Sequence, residues 1–327
     1  MDSKETNALA RRFQEEVGKA SSVLVGSHLN PDGDALGSAL AVGHYLDGLG
    51  IANEVLCHHK APANLQFLPG AHQIRQTPKR ASHDLAIVVD LDSLDRLGST
   101  APYFEKCPQL ILLDHHLPHR SPGDLRIVDP SAPATSLILT RLLLACDADI
   151  TADMATCLLT GIVTDTGSFR FRNTTPESLS LSAVLLERGG DINLVSEQIY
   201  QSTPIAAARL MGILYERMRF TSHDRLCWCE LGHDDFVKTG ATDADTEGLA
   251  NDLLSIETVQ IAALFRESRP GKVRTSLRSR HAFDVAEVAR EFGGGGHANA
   301  AGCTFEEPIH QAAERVVARL KICLESS

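Results

Sequence analysis

The chain has no apolar window approaching about 18 residues, so no membrane span or membrane partner is expected. No apolar signal region follows Met1-Asp2-Ser3-Lys4-Glu5-Thr6, which gives the expectation of a cytoplasmic protein. None of the eight cysteines forms a C-x-x-C pair. Cys227 and Cys229 are one residue apart, too close for the usual metal or redox patterns, so reduced and mostly buried thiols are expected. No internal repeat is present. An excess of basic residues is also missing: 31 Lys and Arg stand against 42 Asp and Glu, a formal net charge of -11. Binding long duplex by backbone neutralisation needs the opposite balance, so that partner class is excluded. A small anionic substrate is not, because a site can be locally basic or lined with metal. One stretch runs against the rest: Arg266, Arg269, Lys272, Arg274, Arg278 and Arg280 face Glu267 alone.

What is present is a globular composition, 43% hydrophobic and 22% charged, in a 327-residue chain long enough for about two domains. Residues 4–19 have amphipathic helical spacing. Ser22–Gly26, Glu54–Cys57, Leu85–Val89 and Leu110–Leu113 read as strands, and 35–49 as a helix between the first two. Strands alternating with helices predict a parallel sheet with helices on its faces, and ligands in such sheets bind beyond the carboxyl ends of the strands. Pro133 to Met218 reads as mostly helical, with a stop at Gly189-Gly190 and Asp191 capping the next helix. Beyond Phe220, Leu226–Leu231, Val259–Phe265 and Lys272–Leu277 read as strands. Helices near 284–291 and 308–324 bracket a glycine run. The expected organisation is a first domain over 1–190, a helical connector over 191–219 and a smaller α/β domain over 220–327. The acidic segment 232–257, with Asp234, Asp235, Asp243, Asp245 and Glu247, reads as a solvated loop and helix start.

Three of the first-domain strands end in unusual residues. Ser27-His28-Leu29-Asn30-Pro31-Asp32-Gly33-Asp34 places one imidazole and two carboxylates on a turn after a strand. Asp90 closes the apolar run Leu85–Val89; Asp92 shares its face of a strand, so the choice between them is not free. Asp114-His115-His116 follows a third apolar run, and adjacent histidines point apart, so one can ligate metal while the other meets substrate. Asp165 ends an apolar helical run before Thr166-Gly167-Ser168. Each is explicable alone as a cap or turn. Their sum fits two metals. His28, Asp32 and Asp90 suit one ion, and Asp34, Asp90, His115 and Asp165 the other, with Asp90 bridging. Mixed nitrogen and carboxylate donors suit manganese, zinc or iron. Two ions about 3.5–4 Å apart lower the pKa of a bridging water and clamp an in-line displacement, a phosphoryl-transfer design. In the second domain, Arg274, Ser276 and Arg278 precede Gly293-Gly294-Gly295-Gly296-His297. The arginines are bidentate phosphate donors, and glycines let an anion approach the backbone.

With these residues on view, the chain resembles the DHH phosphoesterases, named for the motif seen here at Asp114-His115-His116, with a DHH-associated C-terminal domain around Ser276-Leu277-Arg278-Ser279 and Gly294-Gly295-Gly296-His297. Asp165-Thr166-Gly167-Ser168-Phe169-Arg170 and Asn173-Thr174-Thr175-Pro176 resemble the branch of oligoribonucleases that also dephosphorylate 3′-phosphoadenosine 5′-phosphate (pAp). The resemblance implies two α/β domains with the active site in the cleft between them. It implies two manganese ions, other divalent cations being alternatives, held by His28, Asp32, Asp34, Asp90, His115 and Asp165. His116 and Asp90 would be catalytic. Asp114 would orient a neighbouring histidine, and Arg274, Ser276, Arg278, Gly294, Gly295, Gly296 and His297 would contact substrate. Short single-stranded oligonucleotides and pAp are the implied substrates, cleaved by attack of a bridging hydroxide, and the likeness is compatible with a homodimer. Hydrolysis of linear or cyclic dinucleotides, single-strand exonuclease action and a non-catalytic nucleotide sensor are the alternatives.

Overall fold

A computed structural model describes residues 3–116, 123–280 and 283–325. The chain divides into two compact units, Met1–Ser202 and Thr203–Ser327. The segment 191–219, expected as a connector, contributes one helix to each. Both units are α/β. No helix among the described residues is long and apolar enough to cross a membrane.

The first unit runs α1 (Ser3–Lys19), β1 (Ser22–Gly26), α2 (Gly33–Gly48), β2 (Ala52–Leu56), β3 (Leu85–Val89), α3 (Ala101–Phe104), β4 (Leu110–Asp114), β5 (Leu125–Val128), α4 (Thr135–Ala145), α5 (Ala152–Asp165), α6 (Pro176–Glu187) and α7 (Ile192–Tyr200). Its five strands are parallel in the order β2-β1-β3-β4-β5. The continuous apolar runs of β1, β3 and β4 are buried along their whole length, as helices on both faces of a parallel sheet require. The order reverses between β1 and β3, which makes a switch point at their carboxyl ends. α1 buries Thr6, Ala10, Phe13 and Val17, one stripe at helical spacing.

Helices α2 and α5 meet through glycine. A Cβ on Gly37 would lie 2.3 Å from the Cys157 carbonyl oxygen, and one on Gly161 would lie 2.5 Å from Asp34 Oδ1. Only glycine permits this approach. It brings the first turn of α2 to the end of α5, and so Asp34 toward Asp165.

The second unit runs α8 (Ile205–Arg217), β6 (Arg219–Thr221), β7 (Leu226–Leu231), α9 (His233–Thr239), α10 (Leu249–Leu254), β8 (Ile261–Arg269), β9 (Lys272–Ser279), α11 (Val285–Glu291), β10 (Gly295–His297), β11 (Ala300–Phe305) and α12 (Ile309–Glu325). Its mixed sheet has the order β10-β11-β9-β8-β7-β6, with β7 and β8 parallel and the other pairs antiparallel. One side of the sheet packs Phe265, Val273 and Leu277 against α11 and α12, and the other packs Ala262 and Leu264 toward α8 and α10.

The segment 232–257, expected as a solvated loop and helix start, contains helices and a buried acidic residue. It holds α9, α10 and a 3-10 turn at Asp243–Thr246. Asp235 is buried, caps the start of α9 by accepting the Gly232 N–H at 2.9 Å, and meets Arg217 Nη1 at 2.8 Å.

Candidate metal centre and phosphate face

Asp32 divides its oxygens between structure and site. Its Oδ1 accepts the N–H groups of Asp34 and Ala35 at 3.1 and 3.0 Å and caps α2. Its Oδ2 faces His28 Nε2 at 3.8 Å. His28 is buried at the end of β1, and its Nδ1 is 2.8 Å from the Leu29 carbonyl oxygen, which leaves Nε2 to the site.

Asp34 is fully buried. Its Oδ2 accepts the Thr135 N–H at 2.6 Å, and its Oδ1 accepts the Ser136 N–H at 2.8 Å and hydroxyl at 2.5 Å. The methyl of Ala134 cannot accept a hydrogen bond to cap α4, so a carboxylate from another helix satisfies the first two donors of that helix. Burial, then the nearby Asp90 charge, push the Asp34 carboxyl up to about 8 against the bonds from Ser136.

Asp90 is the hub. It takes a left-handed φ of 55°, rare outside glycine, which turns it out of the strand alternation. Its Oδ2 lies 3.2 Å from His28 Nε2. Its Oδ1 lies 3.5 Å from His115 Nε2, 3.6 Å from His116 Nδ1 and 3.1 Å from the Thr135 hydroxyl. Burial pushes the Asp90 carboxyl up, but the three imidazoles, His28 foremost, overcome this and hold it below its ordinary range.

Asp165 ends α5, 3.5 Å from His115 Nε2. Burial, then the charges of Asp34 and Asp90, push its carboxyl well above its ordinary value. A carboxylate at the negative end of a helix among other carboxylates calls for a cation. Asp114, buried at the end of β4, accepts the His116 Nδ1 hydrogen at 2.8 Å and the His116 N–H at 3.2 Å. That bond is the main cause raising His116 to about 9, and it leaves His116 Nε2 as the outward nitrogen.

Among the described residues, three sets offer ligand atoms within 4.8 Å of one another: His28, Asp32 and Asp90; Asp34, His115 and Asp165; and Asp90, His115 and His116. Asp92 is in none of them and stands 3.5 Å from Arg96 Nη1. The donors fit a divalent cation: four carboxylates and three imidazoles converge with few basic groups to neutralise them. The sequence reading missed Thr135 and Ser136, whose Pro-Ala-Thr-Ser run signals only a helix start. It also missed His59, whose Nδ1 accepts the Asn30 N–H at 3.1 Å and ties down the loop after His28.

The second unit presents a different surface. Arg274, Ser276 and Arg278 share one face of β9, and Gly302, Ala300, Gly295 and His297 continue it across β11 and β10. The glycine run is therefore partly an edge strand. A Cβ on Gly294 would lie 2.1 Å from the Gly302 carbonyl oxygen, and one on Gly296, at φ 139°, 2.5 Å from that of Ala300; Gly295 opens onto free space. The neighbouring basic stretch is only partly free. Arg280 donates to the Leu254 carbonyl at 2.6 Å, and Asp243 accepts from both Arg266 and Arg274.

Comparison with known proteins matches the DHH family N-terminal domain to residues 22–162 and the DHHA1 domain to residues 229–326. A Thermus thermophilus protein named bifunctional oligoribonuclease and PAP phosphatase NrnA is 33% identical over 94% of this chain and 92% of its own length. A Bacillus subtilis protein of the same name is 25% identical over 93% and 95%. The crystal structure of an exopolyphosphatase-related protein from Bacteroides fragilis superposes with a TM-score of 0.89 at 27% identity, covering 98% of this chain and 96% of that one.

Proposed function

Since this chain belongs to the DHH family and is a phosphoester hydrolase, we propose that it hydrolyses short oligonucleotides to mononucleotides and dephosphorylates pAp, with two manganese ions in the Asp90 cluster. The observation that carries the reading is the contact of one buried carboxylate, Asp90, with His28, His115 and His116 together. The substrate class rests on the names of the relatives from Thermus thermophilus and Bacillus subtilis.

His28, Asp32 and Asp90 would hold one cation, and Asp34, Asp90, His115 and Asp165 the other. Bound there, two divalent cations supply a Lewis-acid clamp on phosphoryl oxygens and a water of lowered pKa. The chain's own residues do the rest. Thr135 and Ser136 hold the Asp34 carboxylate in one orientation. Asp114 holds the His116 ring by Nδ1, so the protonated imidazole presents Nε2–H to a phosphoryl oxygen and offsets the charge that develops on it. In the second unit, Arg274, Ser276, Arg278, His297 and the glycines Gly294, Gly295 and Gly296 hold a substrate phosphate. A small basic face of this kind serves a nucleotide or a short strand, whereas a long duplex needs an extended one.

The test is one substrate panel with manganese: pAp, RNA and DNA of two to five nucleotides, longer strands, cyclic dinucleotides and pyrophosphate. Turnover concentrated on the shortest strands and pAp is expected. Rapid pyrophosphate hydrolysis with inert dinucleotides contradicts the reading.

A further inference from the structure

Arg266 on β8 and Arg274 on β9 are direct register partners in the antiparallel pair. Side chains so placed share a face, and two like charges directly opposite destabilise a sheet. The compensating group comes from the acidic segment whose sequence suggested a solvated loop and helix start. Asp243, which opens the 3-10 turn Asp243–Thr246, accepts from Arg266 Nε at 3.0 Å and from the Ser268 hydroxyl at 3.2 Å through Oδ1, and from Arg274 Nη1 through Oδ2. Arg266 Nη1 continues the chain of bonds to the Ser276 hydroxyl at 2.6 Å. One carboxylate thus organises two arginines and, through Arg266, a serine of the β9 face.

Exposure grades across this group. The side chains of Arg266 and Asp243 are 16% and 29% exposed, and that of Arg274 is 52% exposed. The first two form a part-buried base, and Arg274 stands on it at the solvent edge. Arg278 is fixed separately, donating from Nε to Asn251 Oδ1 at 3.1 Å. A single carboxylate does not cancel the guanidiniums around it, so the face stays positive. Asp243 therefore restricts Arg274 without removing the charge that attracts an anion. Rotamer freedom of an exposed arginine is large, and holding it before substrate arrives saves that entropy on binding.

We propose that Asp243 is a positioning residue that aims Arg274 at a substrate phosphate. The inference rests on the reading above, that the β9 face holds such a phosphate.

The experiment compares full-length wild type, Asp243→Asn and Asp243→Glu with manganese and a 5′-phosphorylated diadenylate, measuring KM, kcat and the thermal midpoint. For Asp243→Asn, KM is expected to rise about tenfold with kcat held within about twofold, the loss of one charge-assisted orientation. Asp243→Glu, which keeps the charge, restores KM most of the way. An unchanged KM in Asp243→Asn overturns the proposal. So does a lowered KM, which would make the carboxylate a competitor of the phosphate. A fall in kcat that follows the thermal midpoint and is not rescued by Asp243→Glu overturns it as well. Wild type itself judges the functional reading. If it leaves the dinucleotide intact and hydrolyses pyrophosphate, that reading fails, and the same three proteins on pyrophosphate then judge Asp243 by the same KM criterion.

Discussion

Ser136 gives both its backbone N–H and its hydroxyl to Oδ1 of Asp34, at 2.8 and 2.5 Å, across 102 residues of sequence. The bond pair couples the start of α4 to the first turn of α2, and so couples the fold to the candidate metal centre. Ser136→Ala removes the hydroxyl bond and leaves the N–H bond. The expected result is a loss of about 1–2 kcal/mol in denaturant unfolding and a several-fold weaker manganese affinity at pH 7, because the carboxylate becomes harder to ionise. Unchanged affinity would show that Asp34 orientation does not matter to the metal.

Proton release should accompany metal uptake. Asp34, one of the proposed ligands, is pushed up to about 8, so the metal-free cluster carries an extra proton at pH 7. Calorimetric titration with manganese in buffers of different ionisation heat should show protons released at pH 7 and fewer as the pH approaches 9. The stability sign follows from the same shift. A carboxyl whose folded pKa is raised contributes its full stability below the unfolded value of about 4 and loses it as the pH rises toward 8. On this contribution the metal-free protein weakens between those limits, and added metal stabilises it more at the upper end.

Asp114→Asn tests the orientation of His116. The ring keeps its place in the chain but loses the carboxylate that raises its pKa. A fall in kcat of about 10–100-fold is expected, with manganese content retained. The alkaline limb of the pH–rate profile should move to lower pH, because the imidazolium is less supported. A profile that stays in place would remove the protonated His116 from its proposed role of offsetting charge on the phosphoryl oxygen.

Gly294→Ala tests the edge strand. The added methyl would lie 2.1 Å from the Gly302 carbonyl oxygen, a backbone atom that cannot swing aside. Destabilisation of about 1–3 kcal/mol and a raised KM are expected, with metal affinity unaffected. An alteration in metal affinity would contradict the assignment of the glycines to substrate alone.

Much of the first unit was legible because β1, β3 and β4 are continuous apolar runs that stop abruptly at polar residues. Those stops are where the candidate ligands stand. β5 escaped notice because Leu125–Val128 is four residues long and exposes Arg126. β10 and β11 escaped because glycine and alanine have low strand propensity, and these strands exist through pairing with β9. Alternation places Asp90 and Asp92 on one face, and Asp90 is preferred because it closes the apolar run. The left-handed backbone at Asp90 breaks that alternation, which no period could show. The bonds from Ser136 to Asp34 and from Arg274 to Asp243 join residues 102 and 31 positions apart, and composition marks neither pair. Local charge counting read Asp243 as solvated for that reason.

If the Asp90 cluster holds the metals that perform the chemistry, losing the Asp90 charge disables both sites at once. Asp90→Asn does this with the backbone kept, since asparagine tolerates the left-handed conformation found there. Manganese per chain and turnover of a diribonucleotide should be measured on the purified variant beside wild type. The expected result is a thermal midpoint close to that of the metal-free wild type, reduced manganese content and turnover lowered by at least about a thousandfold, as follows when a shared ligand is lost. Near wild-type manganese-dependent turnover in Asp90→Asn would contradict it.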